Sequence, residues 1–174
     1  KEYEALGYTV RDESYADTEG ASSANFVAER SGSQPDSVFI LSSHLDSVGN
    51  AGADDNASGT MAALAVARAL KNVPLKYALR VVAFDEEELG LVGSKAYVRS
   101  LMKSGEATKI RGVINLEMLG YNKRADGAFH VIDCDENDSS TISSVFRQMV
   151  AASPELRLHP VQACTNRSDH ASFW

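Results

Sequence analysis

The sequence has little cysteine, no long apolar run, no excess of positive charge and no repeat, and each shortage narrows what the chain can be. Two cysteines, Cys134 and Cys164, are too few for a disulfide framework and lack the paired spacing of a zinc–thiolate site. They fit one bridge in an oxidising compartment, or two small buried hydrophobes. No apolar stretch approaches the ~20 residues that cross a bilayer, so no membrane span is expected. A net charge of −7 argues against a general nucleic-acid binder, which needs a basic face. With no initiator Met and no signal segment, any targeting peptide is expected to have been removed or to lie outside this sequence. The expected location is extracytoplasmic, secreted or periplasmic.

What is present is ordinary globular material: 44% hydrophobic and 24% charged residues in a length of 174, enough for one domain with a sizeable core. Lys1–Leu6 reads as the last turns of a helix closed by Gly7, and Tyr8–Val10 as the entry to a strand. Asn25–Glu29 and Val38–Ser42 read as strands. The turn-rich stretch between them, Ser31 to Asp36, suggests an early hairpin at an antiparallel edge. The Ala-rich segment from Ala57 to Leu70 predicts a buried helix. Tyr77–Phe84 predicts a strand covered on both faces, and Leu91–Met102 a helix ending near Gly105. Gly112–Leu116 and Ala128–Ile132 predict strands, Ser139–Ala151 a helix stopped before Pro154, and His159–Ala163 a short strand. Ser168–Trp174 has the look of a helix beginning. Both termini read as cuts through structure. This alternation predicts an α/β sandwich of three layers around a mostly parallel mixed sheet.

The chemistry gathers at strand ends. One apolar run leads to His44 and Asp46, a second to Asp85, Glu86, Glu87 and Glu88, and a third to Glu117. In open α/β sheets, ligands bind just beyond the carboxyl ends of the strands, so these groups are expected to converge on one edge. A further cluster, Gly52 to Gly59, opens the long helix and faces the same edge. Carboxylates packed so closely repel one another unless protons or a cation relieve them. Divalent metal removes the conflict, and His with carboxylates suits zinc. Asp46, two residues after His44, is placed to accept the imidazole's other N–H and fix its tautomer. Singly, each piece has a plainer reading: a surface His–Asp pair, an N-cap before a helix, an acidic helix start. The ordered combination is what points to a metal site.

The stretches His44-Leu45-Asp46-Ser47-Val48, Gly52-Ala53-Asp54-Asp55-Asn56-Ala57-Ser58-Gly59, Glu87-Glu88-Leu89-Gly90-Leu91-Val92-Gly93-Ser94, Asn115-Leu116-Glu117-Met118-Leu119-Gly120 and Ser168-Asp169-His170 together resemble the zinc exopeptidase family of bacterial leucyl aminopeptidases and glutamate carboxypeptidase II. The resemblance covers nearly the whole chain. It implies a phosphorylase/hydrolase-like zinc peptidase fold, truncated at both ends, over residues 1–174. It also implies two zinc ions: His44 and Glu117 each binding one, on opposite sides of a bridging Asp55, with Glu88 on the second. Glu87 is then the general base and Asp46 the partner of His44, while Asp54 falls outside the pattern. Two departures stand out. The family usually has Asp where this chain has Glu117. Its final His ligand belongs to a later stretch that is absent here, so the second zinc is expected to be under-occupied. His170 lies in the Ser-Asp-His signature rather than a ligand motif and is not assigned that role; His130 and His159 match nothing.

The resemblance implies hydrolysis of N-terminal residues from peptides or amino-acid amides, with Met118, Tyr121 and Phe173 as candidate pocket lining. The alternatives are a related zinc carboxypeptidase or amidohydrolase, a glutaminyl cyclase, a non-catalytic interaction domain of the kind found in the transferrin receptor ectodomain, or a catalytically impaired fragment.

Overall fold

The computed structural model describes residues 1–17 and 19–174. Among them are strands β1 (Thr9–Ala16), β2 (Ser22–Arg30), β3 (Gln34–His44), β4 (Tyr77–Phe84), β5 (Ile110–Asn115), β6 (Ala128–Ile132) and β7 (His159–Ala163). The α-helices are α1 (Glu2–Ala5), α2 (Ala57–Ala69), α3 (Val92–Ser104) and α4 (Ser139–Ala151), with short 3-10 turns at Glu106–Lys109, Pro154–Leu156 and Asp169–Phe173. The chain divides into two compact units, Lys1–Gly120 with Ser168–Phe173, and Tyr121–Arg167 with Trp174.

The first unit is built on a five-stranded mixed sheet ordered β1-β2-β4-β3-β5. β4–β3 and β3–β5 pair in parallel; β1–β2 and β2–β4 pair antiparallel. The hairpin expected between Asn25–Glu29 and Val38–Ser42 does not form, because β4 lies between β2 and β3. The turn-rich segment after β2 instead runs beside the entry to β4. Ser33 and Gln34 donate their amides to the carbonyls of Leu75 and Lys76, at 2.9 and 2.7 Å. A Cβ on Gly32 would stand 2.5 Å from the Tyr77 carbonyl, so the approach needs glycine. The antiparallel edge comes from the β1–β2 hairpin, whose turn is held by the Asp17 carboxylate accepting the amides of Glu19 and Ala21.

Alternation along the strands divides the core between two faces. Val27, Val38, Ile40, Val82 and Phe84 pack with Tyr97 and Leu101 of α3. Ala28, Leu41 and Val81 pack with Ala63 and Ala67 of α2, and with Tyr8. Ala63 and Ala67 sit four residues apart on one helix face, and their small side chains let α2 lie close to the sheet. β4 is buried at six of its eight positions, as its apolar sequence requires of a strand covered on both sides. Each large side chain so buried contributes about 1.5–3 kcal/mol. One charge shares this core: Arg80 on β4 meets Glu29, Glu106 and the Tyr97 hydroxyl.

In the second unit β6 and β7 form a separate two-stranded parallel sheet. Cys134 and Cys164, just beyond the two strand ends, are joined by a disulfide with a Cα–Cα distance of 4.9 Å. Of the two readings the sequence allowed, the bridge is the one realised. Among the described residues no helix is long and apolar enough to cross a membrane.

Candidate metal centre and active site

β4, β3 and β5 run in the same direction, so their carboxyl ends emerge along one edge with β3 in the middle. His44 is the last residue of β3 and is only 1% exposed. Pairing continues past the strand ends on both sides of it. The Leu45 amide donates to the Phe84 carbonyl and the Leu116 amide to the Ser42 carbonyl, each at 2.7 Å. These bonds carry the chain up to Glu117 on one flank and to the Asp85–Leu91 turn on the other.

The ring of His44 is bracketed by carboxylates. Nε2 lies 3.1 Å from Asp55 Oδ1 and 3.2 Å from Glu117 Oε1. Nδ1 lies 3.1 Å from the Asp46 carbonyl and 3.4 Å from its Oδ1. Asp46 does more than orient the imidazole. Its two oxygens accept the amides of Glu87 and Glu88, both at 3.0 Å, fixing the turn that carries those acids. Glu87, His44 and Glu117 offer ligand atoms all within 4.8 Å of one another. Glu88 is turned aside at 3.3 Å from the Val48 amide. His170 belongs to no such ligand group among the described residues.

Asp85–Leu91 is a turn rather than an acidic helix start, and α3 begins at Val92, one residue after the Leu91 start expected from the sequence. Glu86 and Leu91 take left-handed backbone conformations, with φ of 57° and 63°. Asp55 stands just before α2, whose N-cap Asn56 accepts the Gly59 amide at 3.1 Å.

The charges are strongly perturbed. Burial disfavours the His44 cation, yet hydrogen bonds to Asp46 and Glu117 and the charges of Glu117 and Glu87 push it up to about 11. Burial pushes the Glu87 carboxyl up to about 7, against the pull of His44 and reinforced by Glu117, Glu88 and Asp46. Asp46 is also opposed by burial, but its bonds to His44 and the two amides hold it below the ordinary carboxylate range. A ring this crowded by carboxylates carries a proton unless another cation takes its place.

Nε2 reaches both Asp55 and Glu117, the latter because β3 and β5 are direct neighbours, while Asp55 lies outside the close group of His44, Glu87 and Glu117. Tetrahedral zinc with bonds of about 2.1 Å sets adjacent donors roughly 3.4 Å apart, close to the separations of Nε2 from both oxygens. The donor set fits zinc.

Ser168 is a site residue that sequence reasoning missed. Its hydroxyl donates to Glu117 Oε2 at 2.6 Å and accepts from Asn115 Nδ2 at 2.9 Å, while Ser42 donates to Asn115 Oδ1 at 2.7 Å. The Ser-Asp-His signature marked Ser168 without saying what it touches. Its neighbour Asp169 is fully buried with neither oxygen hydrogen-bonded, since the Ser94 hydroxyl is engaged with Ser172 and Leu91. Burial pushes Asp169 up to about 7, helped by the charges of Glu87 and Glu117. Phe173, expected to line a pocket, instead packs into the core against Phe84 and Tyr97. Met118 and Tyr121 are both exposed.

The family model described as Peptidase family M28 matches residues 25–174. The chain belongs to peptidase family M28. This M28 chain is 36% identical to Leupeptin-inactivating enzyme 1 of Streptomyces exfoliatus, over 98% of its own length and 37% of that protein's. It is similar to the structure of BSAP, a zinc aminopeptidase from Bacillus subtilis, at a TM-score of 0.72 and 30% identity, covering 87% of this chain and 37% of that one. At 22% identity it shares the fold of a Porphyromonas gingivalis glutaminyl cyclase, with a TM-score of 0.75 over 99% of this chain and 66% of that one. The M28 chain thus spans little more than a third of the length of the first two.

Proposed function

We propose that this M28 chain carries most of the active site of a zinc-dependent aminopeptidase, which hydrolyses N-terminal residues from peptides or amino-acid amides. The observation that carries the reading is the meeting of His44 Nε2 with Asp55 and Glu117 at 3.1 and 3.2 Å, with Glu87 alongside. The similarity to BSAP, a zinc aminopeptidase, supports it.

His44, Asp55 and Glu117 would hold one zinc. Asp55 and Glu88 would serve a second, with Asp55 shared between them. When bound, zinc polarises the scissile carbonyl and lowers the pKa of a coordinated water towards ~7. Glu87 is the general base: its carboxylate takes the proton of the attacking water and returns it to the departing amine. Burial that raises Glu87 suits it to both halves of that exchange near neutral pH. Asp46 holds His44 by Nδ1 and, through the amides of Glu87 and Glu88, keeps base and ligand in register. A free amino group on the substrate would be attracted to this acidic edge. The Cys134–Cys164 bridge supports an extracytoplasmic location, where disulfides persist.

The test is zinc content per chain, together with hydrolysis of a panel of amino-acid amides and of N-terminally blocked peptides. Zinc uptake with cleavage only of free-amine substrates is expected. Cleavage of blocked peptides from the carboxyl end would replace the reading with that of a carboxypeptidase.

A further inference from the structure

Asp54 falls outside the metal-site pattern, yet it is tied to the segment that presents Glu117. After Glu117 the chain turns sharply: Met118 has φ of 47°, a left-handed conformation disfavoured for a non-glycine residue. Three successive amides beyond Glu117 are each taken by the segment around Asp55. The Met118 amide donates to Asn56 Oδ1 at 3.2 Å, the Leu119 amide to Ser58 Oγ at 2.8 Å, and the Gly120 amide to Asp54 Oδ1 at 2.7 Å. Asn56 Nδ2 also donates to the Leu116 carbonyl at 2.9 Å, on the near side of Glu117. The clamp is braced within itself, since the Ser58 hydroxyl donates to the Asp54 carbonyl at 2.7 Å. Its close fit needs glycine at position 59, where a Cβ would stand 2.4 Å from the Leu116 carbonyl; one on Gly120 would lie 3.1 Å from Asp54 Oδ1, a tight contact.

We infer that Asp54 and Ser58 are positioning residues for metal binding: by gripping the Leu119 and Gly120 amides they hold Glu117 opposite Asp55, so that both oxygens meet His44 Nε2. The inference rests on the proposed zinc site. The role belongs to hydrogen bonding rather than charge. Asp54 Oδ1 accepts the Gly120 amide at 2.7 Å and the Ser58 hydroxyl at 3.3 Å, and an asparagine oxygen supplies the same acceptor.

The test measures zinc affinity by chelator competition on the full chain, alongside amide hydrogen exchange at residues 118–120 in the metal-free protein. Asp54→Ala is expected to weaken zinc binding by roughly tenfold or more, the scale on which groups orienting a ligand act, and to speed exchange at 118–120. Asp54→Asn is expected to restore both. Ser58→Ala is expected to weaken zinc binding and to speed exchange at Leu119, and it carries the test if Asp54→Ala does not fold. Unchanged zinc affinity in Asp54→Ala or Ser58→Ala, or equal loss in Asp54→Ala and Asp54→Asn, overturns the inference while the zinc site stands. An unaltered chain that takes up no zinc overturns the proposed function and this inference with it.

Discussion

The two units of this chain are held together by different physics. In the first, two layers of apolar side chains sandwich the sheet, and β4 is buried along most of its length. In the second, Tyr121–Arg167, the only buried residues are Asp133 and Ser143, both polar. Asp133 there is a hub: its carboxylate accepts the Asp135 amide and the Ser139 hydroxyl, and meets the Ser143 hydroxyl. The disulfide closes the chain around it. A small unit without an apolar core leans on covalent and polar staples, as small domains do. A unit with a core can afford to spend one edge on clustered, mutually repelling acids. All the proposed ligands and the proposed base lie in the first unit.

That contrast can be broken or sharpened by experiment. The largest effect is expected at the acidic edge. Glu87→Gln should reduce peptide hydrolysis about a thousandfold, equivalent to about 4 kcal/mol, while zinc content stays unchanged. Steady-state kinetics with metal analysis would show it, and full activity would remove Glu87 from the role of base. Next, Phe84→Ala, at a fully buried position, should cost about 3–4 kcal/mol, whereas Phe146→Ala on half-exposed α4 should cost less than about 1 kcal/mol. Equal losses in denaturant unfolding would show that the second unit has a core after all. Removing the disulfide by Cys134→Ser should cost the second unit about 2–3 kcal/mol. Hydrogen exchange would then rise across residues 121–167 and leave β3 and β4 protected.

The smallest effects concern pH, and they have opposite signs in the two units. Asp169 has its pKa raised by burial to about 7 from 3.8. The stability it contributes is therefore full below 3.8 and lost as pH rises to about 7. Asp169→Asn should remove that loss, gaining on the order of 2 kcal/mol over the unaltered metal-free protein at pH 8 and little at pH 4. Asp133 is held below its ordinary value by the Ser143 hydroxyl, the Asp135 amide and the Ser139 hydroxyl. Its contribution is present above 3.8 and lost as pH falls through its lowered pKa, so acid should loosen the second unit. Thermal unfolding across pH would show both trends, and the same sign in both units would contradict the charge assignments.

Much of the site was legible in the sequence because its parts are local. Apolar runs ending in His44, Asp85 and Glu117 identify strands whose carboxyl ends carry ligand-type groups, and an Ala-rich segment after Asn56 identifies the helix that begins beside Asp55. β6, β7 and α4 were placed at their observed bounds by periodicity and turn residues alone. The early hairpin was misread because the turn chemistry of Ser31–Asp36 is real but does not say which strands it joins. β4, more than thirty residues further on, takes the place beside β2 that proximity in sequence suggested for β3.

The sequence by itself determined which residue types stand at each strand end and which segments could be strand or helix, since both follow from side-chain periodicity and backbone preference within a few residues. Tertiary structure alone decided that β3 lies between β4 and β5, that Glu117 therefore stands beside His44, that Ser168 and the Asp54 clamp reach Glu117, and that Asp169 is buried without a partner. Each of these depends on pairing between segments far apart in the chain. Burial and hydrogen bonding across the whole sheet choose such a pairing, and no local pattern encodes it.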